Sequence, residues 1–89
     1  MTDDARQIAW RALERGTRVY SSDGAQLGKV SHVVADDVKD IFSGIAFQRG
    51  MLGEDVFAPA PFVDNITTDG VHLTLSESDA ERDLKPFSA

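Results

Sequence analysis

Three carboxylates fall within five residues, at Asp36, Asp37 and Asp40. Closely spaced oxygen ligands suit a hard divalent cation. The run lacks the order of an EF-hand loop, which needs alternating ligands, a central glycine and a terminal glutamate. A solvated loop is the plainer reading. His32 and His72 are the only histidines, and imidazoles can bind a metal or act as a general base. Strand alternation turns both away from a core, so surface or edge packing is expected. Serines and threonines are plentiful, but no Gly-x-Ser-x-Gly elbow is present. Neither Gly-x-Gly-x-x-Gly nor a Walker sequence occurs. The absence of cysteine excludes disulfides, thiolate metal sites and cysteine nucleophiles. The chain is therefore expected to be no enzyme, with no catalytic residue, no metal ligand and no cofactor.

Length and charge narrow the remaining classes. Eighty-nine residues with 15 acidic and 9 basic side chains give a net charge of −6. One small core is within reach of such a chain. The acidic balance argues against direct nucleic-acid binding, which rests on Lys and Arg neutralising phosphates. Residues 1–18 hold four arginines against three acids, so the acidity belongs to the remainder. The first residues, Met1-Thr2-Asp3-Asp4, form no basic leader. Apolar runs such as Val33-Val34-Ala35 fall far short of the ~20 residues of a membrane helix. A cytoplasmic protein with no membrane contact is expected.

The elements that position these side chains are a helix, a set of short strands and a second helix. Ala5, Ile8, Ala9, Ala12 and Leu13 share one stripe of a helix over residues 3–15. Thr2 suits its N-cap, and Gly16 suits a left-handed C-cap. Trp10 lies off that stripe. It either folds against a flank of its own domain or anchors a second chain, and Arg6, one turn before it, can cover the ring.

Strands are expected over residues 17–21, 27–35, 43–49, 54–59 and 71–75, with a short strand or coil around Phe62, Val63 and Ile66. Leu27 and Val30 cannot share a face of a regular strand, so Gly28 marks a bulge or bend. Val33 and Val34 place apolar groups on both faces. Met51 and Leu52 form an apolar loop tip between Gly50 and Gly53. Ser78 and Glu81 have the spacing of a capping box for a final helix, with Pro86 stopping it and Phe87 docking nearby. Short strands at this spacing suggest a small antiparallel barrel, which closes to remove its edges.

The strand region resembles the PRC-barrel domain. Asp23, Gly24, Leu27, Gly28, Lys29, Val30, Val33, Val34 and Asp36 match its opening pattern in order. The Gly50–Gly53 loop resembles one of its loops, with Met51 in place of an aromatic residue. Val56-Phe57-Ala58-Pro59, the spacing of Phe62, Val63 and Ile66, and Gly70-Val71-His72-Leu73 follow suit.

The resemblance implies a mainly β fold, a small antiparallel PRC-type barrel. An amphipathic helix over residues 1–16 precedes it, and the barrel with its short C-terminal helix takes residues 17–89. The family includes the cytoplasmic domain of the photosynthetic reaction-centre H subunit and the C-terminal domain of a ribosome-maturation factor. Across such settings it acts as a docking module without catalytic residues. The resemblance implies a stand-alone protein–protein docking or self-associating module, expected to form a homodimer. The interaction candidates are Trp10, Arg6, Met51, Leu52, Val33 and Val34. The alternative is an accessory factor in RNA or ribosome metabolism, acting through a ribosomal protein.

Overall fold

β-Branched and aromatic residues between turn-forming glycines and aspartates make strands that must pair to bury one face. In the computed structural model, which describes residues 10–36, 38–39, 41–49 and 53–87, they do so as one sheet. The strands are β1 (Arg18–Tyr20), β2 (Gln26–Asp36), β3 (Ile41–Gln48), β4 (Asp55–Pro59), β5 (Val63–Ile66), β6 (Val71–Leu73) and β7 (Lys85–Pro86). Helix α1 spans Glu77–Asp83, and single 3-10 turns lie at Trp10–Ala12 and Ala60–Phe62. The strand order is β5-β6-β1-β2-β3-β4-β7.

The expected closed antiparallel barrel is corrected in two respects. First, β1 and β6 run parallel, with Val19 opposite Val71, so the sheet is mixed. Both valines are wholly buried, which is what this non-local pairing accomplishes. Second, the ladder does not close. β7 beyond β4 is two residues long, and its Pro86 has no N–H to donate. The chain itself spans the remaining gap, passing from β4 through the Ala60–Phe62 turn into β5. Phe47, Ile45, Leu73, Val19 and Val71 are the largest fully buried side chains.

Two bulges in β2 make that core possible. Val19 pairs with Gly28 and Tyr20 with Gln26, which leaves Leu27 as an extra residue. Leu27 and Val30 are thereby both buried, as the glycine between them suggested. Further along, Val30 pairs with Phe47 and His32 with Ala46, so Ser31 is a second extra residue. It brings Val33, opposite Ile45, onto the core side with Val30.

The expected helix over residues 3–15 lies mostly outside the described residues. Its end, where it is described, is not α-helical. The Trp10–Ala12 turn closes with the Leu13 amide donating to Trp10 oxygen at 3.1 Å. By Gly16, with φ of 86°, the chain is already committed to the sheet, its amide donating to Val30 oxygen at 2.8 Å. A helix through residue 15 is incompatible with that turn.

The final helix also starts earlier than its expected capping box. Ser76, not Ser78, is the N-cap, accepting from the Asp79 amide at 3.2 Å. Leu75 oxygen is held by the Ser22 amide at 2.7 Å, and the Glu77 amide donates to Asp23 Oδ1 at 3.3 Å. These bonds fix the helix start at the first serine. The Asp23 carboxyl is held below its ordinary pKa, chiefly by the Ser21 hydroxyl and also by the backbone amides of Asp23 and Glu77.

At Gly28 an ideal Cβ would lie 2.0 Å from Gln48 oxygen and 3.1 Å from the Phe47 ring. The backbones of β2 and β3 meet there at a distance that only glycine permits. Gly28→Ala is expected to cost about 2 kcal/mol through overpacking, lowering Tm by ~10 °C for a chain of this size. Thermal denaturation followed by circular dichroism checks this, and an unchanged Tm would contradict it.

Candidate functional site

β2 and β3 are longer than the strands that flank them. β1 pairs with β2 over Gln26–Lys29, and residues 16 and 17 add hydrogen bonds to Val30. β4 pairs with β3 only from Gly44 onward. Residues 32–34 thus lie beside residues 44–46, which β4 covers on the far side, and only residues 35–36 with 41–43 are two-stranded. Together these residues form an arm whose outer β2 edge has no strand beside it among the described residues. An isolated hairpin is marginal in water, so this arm needs cover.

Strand alternation gives the arm two faces. Val33, Ala35 and Phe42 lie on the core side, and His32 and Val34 on the outer side. The two candidate valines thus point opposite ways, and both are half-buried. Trp10 supplies cover on the core side. Its ring stacks on Phe42 at 5.9 Å and 15°, with Leu13 buried beside it. Trp10 thus packs against its own domain. The Arg11 guanidinium lies 4.7 Å from the Trp10 ring centroid, the place expected of Arg6. Arg6, Met51 and Leu52 lie outside the described residues. A shallow groove between Trp10, Arg11, Leu13, Val33 and Ala35 stays open along the arm.

At the arm's end, Asp36 Oδ1 accepts from the Val38 and Lys39 amides at 3.0 and 3.2 Å. This carboxylate organises the turn. Asp37 and Asp40 lie outside the described residues, and among those described no group of three metal-binding side chains forms. Val38 is 95% exposed and Ile41 50% exposed, flanking the turn. They are apolar side chains with no core to serve.

The outer face carries an aromatic cluster. Phe87 lies 5.5 Å from His32 and 5.8 Å from Phe57, centroid to centroid. Its amide donates to Asp55 oxygen at 2.8 Å, which seats the C-terminal segment across β4. His32 Nε2 is 3.9 Å from an Asp55 carboxylate oxygen. His72 has different surroundings. It stacks on Tyr20 at 5.4 Å, and its Nε2 lies 3.4 Å from Thr67 Oγ1. The two histidines are not brought together.

Sequence reasoning missed Phe42, Val38 and Ile41 as parts of a surface. The signal was the Ile41-Phe42 pair directly after the polar run. It extends the strand backwards, past the residues that β4 can cover.

Comparison with known proteins agrees with this geometry. The PRC-barrel domain family matches residues 15–80. No curated protein matches the chain.

Trp10 is the sole tryptophan, so its emission reports on the stack. Phe42→Ala is expected to shift that emission to longer wavelength and to cost about 2 kcal/mol. Fluorescence during urea unfolding reads both, and an unchanged native spectrum would contradict the stacking.

Proposed function

The chain belongs to the PRC-barrel domain family, and from that premise we propose that it is a non-enzymatic docking module acting through a protein partner. The observation that supports this reading is the exposed apolar pair Val38 and Ile41. They flank the turn of an arm that its own sheet leaves uncovered. Apolar groups gathered on such a projection favour association. The net charge of −6 favours a protein over a phosphate backbone as the partner. A cytoplasmic setting belongs to the same proposal.

Val38→Asp with Ile41→Asp tests it. Both positions are solvent-facing, so the fold is expected to tolerate the change within about 0.5 kcal/mol each. Partner capture from native cells, quantified beside the wild type, is expected to fall at least about tenfold. Equal capture by both proteins, or no specific capture by the wild type, would contradict the reading.

A further inference from the structure

The free stretch of β2 is short and has an unusual property: it is complementary to itself. Toward its start, the outer side of β2 is occupied as far as Val30, whose oxygen and amide bond Gly16 and Thr17. Toward its end, the strand stops at Asp36, where the turn begins. Between these limits lies His32-Val33-Val34-Ala35-Asp36, with no strand beyond it among the described residues. The irregularity within this stretch falls on β3, where Ser43 is extra between Phe42 and Gly44. β2 itself is therefore regular here. An apolar edge with unpaired backbone groups is a template for another strand.

We propose that a second copy of this chain occupies that edge, pairing antiparallel with its own residues 32–36 about a two-fold axis at Val34. The inference rests on the docking reading above and names its partner. Two-fold antiparallel pairing of a five-residue stretch fixes the register. Val34 meets Val34, Val33 meets Ala35, and His32 meets Asp36, each of the last two pairs occurring twice. Valine and alanine thus meet apolar partners, and each imidazole N–H donor meets a carboxylate. On its own sheet His32 faces the Asp55 carboxylate and the Phe87 ring, so it keeps its outer-face setting when the new ladder forms. Pairing about a two-fold is isologous, and it closes at the dimer. The two-stranded tip, marginal on its own, gains the partner's strand, and the two sheets become continuous.

Other registers fail on the same residues. Moving the two-fold to Val33 or Ala35 sets Asp36 opposite Val30 or Val34 and loses both His32–Asp36 pairs. Moving it to His32 sets Val34 opposite Val30, whose backbone groups are already used. Moving it to Asp36 sets Asp36 of one copy opposite Asp36 of the other. Like charges directly opposed are destabilising. A one-residue slip moves every side chain to the wrong face.

Because the chain has no cysteine, one introduced thiol is a clean probe. Directly opposed strand residues have Cα separations of about 4.5–5.5 Å, within the range a disulfide spans. Val34→Cys is expected to form a disulfide dimer under mild oxidation, while Ser78→Cys on the exposed side of α1 stays monomeric. Light scattering after size exclusion at about 100 µM, where even a micromolar interface is filled, is expected to give a dimer mass for the wild type. It is expected to give a monomer mass for Val34→Lys. A monomeric wild type, a dimeric Val34→Lys, or equal cross-linking of both cysteine variants would overturn the proposal. If the wild type is monomeric yet Val38→Asp/Ile41→Asp still loses a captured partner, self-pairing falls and the docking reading stands.

Discussion

The rest of the structure depends on a chain-length constraint. Pro59 ends β4 and Val63 begins β5, four residues apart. In the sheet those strands are five positions apart. A flat sheet would separate them by about 24 Å, whereas four residues reach at most about 14 Å. The sheet must therefore curl until its two sides nearly meet. Curling encloses Phe47, Ile45 and Val19, and the 60–62 turn bridges the gap where no ladder forms. The bulges at Leu27 and Ser31, with glycine at position 28, allow β2 to take that curvature without losing its core residues.

The same constraint produces the arm. β1 and β4 need only be long enough to line the core, and they pair with only part of β2 and β3. The excess length of the central hairpin projects beyond them. Trp10 and Leu13 fold over one face of the excess, and the Arg11 guanidinium lies by the indole ring. The other face shares the aromatic cluster of His32, Phe57 and Phe87 near its base. Neither covering reaches the outer edge of residues 32–36 or the side chains of Val38 and Ile41. The edge and the exposed apolar pair on which the proposed docking role rests are thus a consequence of how strand lengths are distributed.

Much of this was legible in the sequence because it is local. The alternation of Val71, His72 and Leu73 identifies a strand, and Gly16 and Gly24 take the positive φ that their turns need. The spacing of Leu27 and Val30 demanded the bulge at Gly28. The ordered PRC-type residues placed the family correctly. Other features were hidden because they are set by distant partners. Nothing near Val19 announces a parallel partner at Val71. The second bulge falls at Ser31, a residue of no special backbone preference. The spacing of Ser78 and Glu81 suggested a cap at Ser78, but the Ser22 and Asp23 contacts, far off in sequence, fix it at Ser76. The site was half legible: Trp10, Val33 and Val34 border the arm, but the decisive property, an edge with no neighbouring strand among the described residues, exists only once the strands are ordered.

The central claim is that this edge is sealed by another copy of itself. Amide hydrogen exchange resolved to single residues addresses it most directly, because the outward-facing amides of residues 32–36 have no acceptor strand among the described residues. The account predicts rapid exchange of these amides in dilute protein and protection that rises with protein concentration, while core amides such as those of Ile45 and Phe47 stay protected throughout. Protection of residues 32–36 that is the same at every concentration would contradict it.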